Sequence, residues 1–363
     1  MWLSLSADQT HALRTPCFVY SRAVLAERVR RLRVLDAKLL CAVKANPHAE
    51  VLRVLAPLLD GADVASEGEL LAARAAGFKV ISVAGPGKTR LERFVGAGVT
   101  LNVESQRELD ALGELGVPVR ARLRVNPSTT FRAYRLAFTG GPRVFGIDEE
   151  ALGEVRVPKN VSVVGVHLHP GAQCTSVAGV LEVARVGFDL LERVGGDELN
   201  LGGGFGAIAP GTELDVEALA PKLKAMAAKF PRPVTLFFEP GRWLMGPAGL
   251  YVTRVVNVKS SRGVKYVVLD GGIHHLLAAS EVMLPKNAAR APVLNVTRPT
   301  APLEKVSLSG VLCTPLDSLG SDVEVPQPQV GDVLAFQGAG AYGPTFSPVG
   351  FLSHEAAAEV FVD

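Results

Sequence analysis

The stretch KLLCAVKANPHAEVLRVLAPLLDGADVASEGELLAARAAGFKVISVAG, residues 38–85, decides the fold. An apolar run reaches Lys44, turns through Asn46 and Pro47, and gives way to the helical spacing of LRVLAPLL. GADVAS, GELLAARAAG and KVISVAG follow as strand, helix and strand. Parallel neighbours need a crossover between them, usually a helix, so this alternation predicts a parallel sheet.

The pattern continues outward. AVLAERVRRLRVL (23–35) precedes it with apolar residues at helical spacing. After it come helical TRLERFVGAG and strand VTLNVE, then QRELDALGELG and VRARLRVN. VSVVGVHLH comes after an irregular insertion. VLEVARVGFDLLERVGG leads into ELNLGGGFG, and LAPKLKAMAAKF into VTLFFEPG. Eight strand runs in about 220 residues predict a closed (β/α)8 barrel, the TIM barrel, rather than an open sheet. From about residue 250 the helical runs stop, and Val-rich strands recur between Gly, Pro and Asp: GLYVTRVVNVKSS, KYVVLDGG, KVSLSGVLC, GDVLAFQGAG, AAAEVFVD. The early TPCFVYS also reads as a strand. The expected α/β architecture is a barrel over 22–250 plus a discontinuous β domain, a β-sandwich or β-barrel, from 1–21 and 251–363.

Composition excludes several classes. With 363 residues, 48% hydrophobic and 20% charged, the chain is a folded one that can bury a sizeable core. Its 38 basic and 36 acidic residues give no polyanion-binding bias, so no nucleic-acid partner is expected. Cys17, Cys41, Cys174 and Cys313 lie far apart, without a metal-type pair, which fits a reducing compartment; no metal is expected. MWLSLSADQTHALR lacks a basic region followed by an apolar one, and no apolar run approaches a membrane span. A soluble cytoplasmic protein without membrane contact is the expectation.

Functional groups of a (β/α)8 barrel gather at the C-terminal ends of its strands. Those ends here carry Lys44, Asp63, Glu104, Arg124, His169, glycines 202–204, and Glu239 with Gly241 and Arg242. A lysine at the end of a buried run is costly unless it is paired or used chemically. The glycines of LNLGGGFG let backbone N–H groups approach an anion such as a phosphate. A glutamate–arginine pair on its own would read as a plain ion pair. An amine that can condense with an aldehyde, a phosphate cradle and a carboxylate together point to pyridoxal 5'-phosphate. His169 alone would read more simply as a core histidine, but in this company it can stack on the cofactor ring.

The ordered motifs TPCFVY, AVKANP, DVASEGEL, LRVNP, GVHLHPGAQ, LGGGFG, EPGR, LDGG, GVLCTPLD and GAYG resemble the fold-type III pyridoxal phosphate decarboxylases, the diaminopimelate and ornithine decarboxylase group, over nearly the whole chain. The resemblance implies an alanine-racemase-like barrel and α-decarboxylation. It implies that Lys44 carries the cofactor, that Asp63 and Arg124 lie around it, and that His169 stacks on the ring. Gly203, Gly204, Gly241, Arg242 and Tyr342 would hold the phosphate and Glu239 the ring nitrogen. It further implies a homodimer with shared active sites, in which Cys313 of one subunit returns the proton in the site of the other. Thr314, Asp317, His275 and Phe351 are the substrate-side candidates. Thr314 stands where diaminopimelate decarboxylases carry a glutamate, and GIHHLLAAS lacks the expected downstream arginine. CTPLD, DGGIHH and GFLSH resemble instead a branch from natural-product and exopolysaccharide gene clusters, some of whose members act on aminoacyl groups tethered to a carrier protein. The expected substrate is therefore an amino acid, as a small molecule, or an aminoacyl carrier protein. A racemase or epimerase is the nearest alternative, and a non-catalytic regulatory homologue a more distant one.

Overall fold

In the computed structural model, which describes residues 1–6, 9–10, 12–284 and 288–363, the chain divides into two compact units. One comprises 26–206 and 213–243; the other comprises 1–25, 207–212 and 244–363.

The first unit is the barrel. Its strands are β2 (Lys38–Ala42), β3 (Gly61–Val64), β4 (Ile81–Val83), β5 (Val99–Val103), β6 (Val119–Asn126), β9 (Val161–His167), β11 (Glu198–Asn200) and β12 (Thr235–Phe238). They pair in parallel in the order β5-β4-β3-β2-β12-β11-β9-β6, and β6 pairs back onto β5, closing the ring. All eight strand runs marked in the sequence lie in it. Three two-residue strands, β7 (Leu136–Ala137), β8 (Ile147–Asp148) and β10 (Gly171–Ala172), decorate the irregular insertion and the loop after β9.

The helices of the first unit form where capping and apolar spacing agree. After α1 (Arg22–Leu32) and α2 (Ala49–Leu55) come α3 (Glu67–Ala76), α4 (Gln106–Glu114), α5 (Val177–Val194) and α6 (Val216–Ala227). Ser66, Ser105, Ser176 and Asp215 are the N-caps of the last four. Each side chain accepts the backbone N–H three residues on, satisfying a donor the helix leaves open. In α3 and α4 the glutamate at that third position reaches back. Glu69 accepts the Ala65 N–H at 2.8 Å, and Glu108 the Glu104 N–H at 2.9 Å, a variant of the capping box. Along α5, Val180, Val183, Ala184, Gly187, Phe188 and Leu191 are buried at three- and four-residue spacing. Each large member contributes roughly 1.5–3 kcal/mol of burial. The helix expected at 89–98 is only the 3-10 turn Leu91–Arg93. Gly96 and Gly98, at φ 141° and 76°, carry the chain directly into β5 instead.

The barrel interior is unusual in being charged. The period of two along β6 puts Arg120, Arg122 and Arg124 on one face. Arg122 pairs with Glu198 of β11 at 2.6 Å and lies 4.3 Å over the Phe237 ring of β12, so that face looks inward. Arg122 and Glu198 are both buried.

The second unit is a mixed sheet in the order β15-β18-β13-β14-β16-β17: β13 (Gly249–Ser261), β14 (Val264–Leu269), β15 (Val293–Asn295), β16 (Leu303–Ser309), β17 (Ser318–Pro326) and β18 (Val333–Gln337). β1 (Cys17–Ser21) joins it, antiparallel to β13 and parallel to β19 (Ala358–Val362). The early strand thus pairs with strands of the β-rich second half. Among the described residues no helix is long and apolar enough to cross a membrane.

Candidate active site

The C-terminal ends of the barrel strands bring together most of the residues singled out in the first unit. Lys44 lies in a 3-10 turn just past β2, and Asp63 lies in β3 beside it. Lys44 Nζ donates to Asp63 Oδ2 at 3.0 Å; the lysine side chain is 37% exposed and the carboxylate 1%. Burial first, then the Glu239 charge, push the Asp63 carboxyl up to about 7, with Lys44 opposing. The lysine amine is thus paired with a buried carboxylate while its side chain stays part-exposed, which answers the cost of a cation at a strand end.

Opposite stands Glu239, just past β12, with side-chain exposure of 1%. Asn200 Nδ2 donates to its Oε1 at 2.7 Å, His167 Nε2 lies 3.3 Å from the same oxygen, and His169 Nδ1 lies 3.8 Å from Oε2. Burial disfavours the Glu239 charge, but the His167 and Lys44 side chains outweigh it and hold the carboxyl well below its usual range. Burial lowers both His167 and His169, the latter further through Lys44, so both imidazoles are neutral at pH 7. The His169 ring stacks on Phe138 at 5.5 Å and accepts the Gly203 N–H at Nδ1.

The glycine run is close-packed at this end. A Cβ on Gly203 would sit 2.2 Å from the Glu239 carbonyl oxygen. On Gly204, at φ +84°, it would sit 2.1 Å from the Gly171 carbonyl oxygen and 3.0 Å from the Tyr134 ring. Nothing larger than glycine fits there, so the backbone itself faces any guest. Arg124 is also buried, with Nη1 3.1 Å from Glu104 Oε2 and its guanidinium 4.8 Å over Phe145. Among the described residues Arg124 Nε and Asp63 Oδ1 are buried without a protein partner. Gly241 is buried and Arg242 half-buried at the start of a short helix after β12.

These residues fit pyridoxal phosphate. They offer an amine on a buried base, an anionic carboxylate, a neutral aromatic ring, a cradle closed to any Cβ, and buried polar atoms still unpaired. His167, His169 and Glu239 also bring ligand atoms within 4.8 Å of one another. A small cation held there would occupy the same carboxylate and exclude its contact with a ring nitrogen.

The remaining candidates lie in the second unit. Cys313 is exposed and Thr314 half-buried. Asp317 is buried, and both its oxygens accept backbone N–H groups, from Ile273 at 2.8 Å and Leu312 at 2.8 Å. It therefore fixes the shape of the Cys313 loop. His275 is likewise engaged, with Nδ1 3.0 Å from the Tyr251 hydroxyl and Nε2 2.9 Å from the Glu355 carbonyl. Tyr342 packs edge-on to Phe346, and Phe351 is 45% exposed. The sequence reading passed over His167 and Asn200. His167 shares a strand face with His169 two residues on, the one signal that could have marked it.

Comparison with known proteins identifies the family and its cofactor. Residues 23–246 match the profile "Pyridoxal-dependent decarboxylase, pyridoxal binding domain". The chain is 33% identical to the L-glutamyl-[BtrI acyl-carrier protein] decarboxylase of Niallia circulans, over 97% of this chain and 89% of that one. It is 34% identical to the diaminopimelate decarboxylase of Pseudomonas aeruginosa, over 96% and 88%. The crystal structure of a diaminopimelate decarboxylase from M. jannaschii superposes with a TM-score of 0.87 at 27% identity, covering 98% of this chain and 89% of that one.

Proposed function

The chain belongs to the pyridoxal-dependent decarboxylases, and from that premise we propose that it removes the α-carboxylate of an aminoacyl group tethered to a carrier protein. It is a carboxy-lyase, and its cofactor is pyridoxal phosphate. The observation that carries the choice of substrate is Thr314, which stands where diaminopimelate decarboxylases carry a glutamate; the similarity to a decarboxylase named for a glutamyl carrier protein supplies the alternative substrate. That glutamate would pair a distal ammonium, and a glutamyl thioester has none.

In this reading Lys44 Nζ would hold the cofactor through its aldehyde carbon. Bound there, pyridoxal phosphate supplies an electron sink for the pair left on the α-carbon when carbon dioxide departs. Glu239, its Oε1 accepting from Asn200, would hold a proton on the ring nitrogen. Neutral His169 covers a ring face without placing a second positive charge beside it. The backbone of Gly203, Gly204 and Gly241, with Arg242 and Tyr342, takes the phosphate. Asp63 and Arg124 flank the reacting end. The Cys313 thiol, contributed by a second copy in a homodimer, returns a proton to the α-carbon once the carbon–carbon bond has broken. Thr314 and Phe351 line the substrate side, and Asp317 and His275 shape the loops that carry them.

The test is mass spectrometry of holoenzyme incubated with free diaminopimelate, ornithine and glutamate, and in parallel with aminoacyl carrier proteins. Loss of carbon dioxide from the carrier-bound group is expected. Faster turnover of a free diamino acid, with the carrier-bound groups unchanged, would overturn the substrate assignment. Retained mass with inverted configuration would make the enzyme a racemase.

A further inference from the structure

Beneath the strand ends, three charged side chains outside the roles above are packed with Arg124 into one network. The Lys88 side chain has 0% exposure and Glu104 6%. Lys88 Nζ donates to the Gly85 carbonyl at 2.6 Å and to Glu104 Oε1 at 3.0 Å, and lies 3.2 Å from Glu108 Oε1. Glu104 Oε1 also accepts the Gly85 N–H at 2.6 Å, while Oε2 accepts Arg124 Nη1 at 3.1 Å and the Gly146 N–H at 3.2 Å. Glu108, the capping glutamate of α4, closes the network on the Glu104 backbone. One carboxylate therefore gathers donors from the loop after β4, from β6 and from the loop beyond it.

The charges balance: Lys88 and Arg124 against Glu104 and Glu108. A buried carboxylate is tolerated when its lone pairs and its charge are both met, and Glu104 has four donors, two of them cationic. Burial works against the Glu104 charge, but Arg124 and Lys88 prevail and hold its carboxyl below the usual range. Arg124 is gripped at one end by Glu104 and on one face by Phe145, while its buried Nε keeps no protein partner. A guanidinium held this way cannot turn to follow a ligand; the ligand must come to it.

We infer that Glu104 is a positioning residue for the cofactor site: without touching the cofactor, it fixes the orientation and compensates the charge of Arg124, with Lys88 keeping Glu104 ionised. The inference rests on the reading of Arg124 as a cofactor residue. A carboxylate that merely tied loops together would act on folding and not through Arg124, so the two roles separate in a double-substitution cycle.

The experiment titrates cofactor-free protein with pyridoxal phosphate, reading the visible absorbance band, for wild type, Glu104→Gln, Arg124→Met and the pair. Thermal midpoints of the cofactor-free proteins are taken alongside. Glu104→Gln is expected to weaken binding by about ten- to hundredfold, the loss that follows from leaving a buried charged donor unmatched. It is also expected to move the pH at which the band titrates, because Arg124 is then uncompensated. In the Arg124→Met background the second substitution should change affinity by less than about twofold. Glu104→Asp, which keeps the charge, should recover part of the loss. Where Glu104→Gln gives too little folded protein, the same cycle is run with Glu104→Asp. Independent, multiplying effects of the two substitutions would overturn the positioning role, as would wild-type affinity in Glu104→Gln. Wild-type affinity in Arg124→Met would overturn the cofactor reading of Arg124 and this inference with it.

Discussion

Replacing Lys44 with methionine should rewrite the pH dependence of stability in the cofactor-free protein, and the size of the effect follows from Asp63. Its carboxyl sits at about 7 against an ordinary 3.8, raised by burial and by Glu239 even though Lys44 Nζ is 3.0 Å away and opposes the shift. A carboxyl whose folded pKa lies above its unfolded one binds the proton more tightly when folded. Its contribution is therefore most favourable in acid and is lost as pH rises through that window. In wild type the loss amounts to about 4 kcal/mol and levels off near pH 7. Lys44→Met removes the cation that opposes the shift, so the variant's Asp63 stays protonated to higher pH. Each pH unit above about 7 then costs the variant about 1.4 kcal/mol that wild type no longer loses, until its own Asp63 ionises. The assay is urea denaturation read on buried Trp243, in a Trp2→Phe background, across that range. Parallel pH curves for the two proteins would refute the coupling of Lys44 to Asp63.

Three other outcomes are expected. Gly204→Ala forces a Cβ to 2.1 Å from the Gly171 oxygen at a φ of +84°, and should cost roughly 2–4 kcal/mol in the cofactor-free protein; a lower thermal midpoint with weaker pyridoxal phosphate binding is the readout. Glu239→Gln should still bind the cofactor but lose about 10²-fold or more in carbon dioxide release, measured by single-turnover assay. Arg28→Met should cost about 3–5 kcal/mol in urea denaturation. The buried Arg28 guanidinium donates through Nε to the Trp243 carbonyl at 2.9 Å, stacks 3.5 Å over that indole and pairs with Glu213, and the substitution would take all three contacts away.

The barrel was legible because each of its strands announces itself twice, by an apolar run and by a polar or glycine exit. Lys44, Asp63, His169 and Glu239 could be picked out as such exits without knowing what each touches. What could not be read were side chains whose meaning is a distant partner. Lys88 meets Glu104 across 16 residues, Arg124 meets Glu104 across 20, and Asn200 meets Glu239 across 39. Locally, Lys88 looks like any loop lysine. β17 was passed over for another reason: SLGSDVEVP is rich in turn formers and carries Asp322 at φ 54°, yet Leu319 and Val325 are buried and its length is held by pairing with β16. The helix that failed at 89–98 shows the converse, apolar spacing defeated by two glycines the chain needs for its entry into β5.

β1 has a consequence for how the protein is made. Cys17 finds its partners only at Val252 and Ala358, so an early strand waits for late ones. At ribosomal speeds of about 5–20 residues per second Ala358 follows Cys17 by roughly twenty to seventy seconds. Until β13 is made CFVYS, buried at every position in the finished sheet, is an apolar ribbon with both edges open, and one edge stays open until β19 follows. The barrel strands, by contrast, meet most of their neighbours within a few tens of residues. Yield in a cell should therefore track the supply of chaperones able to shelter one short segment during translation, more than the stability of the completed fold.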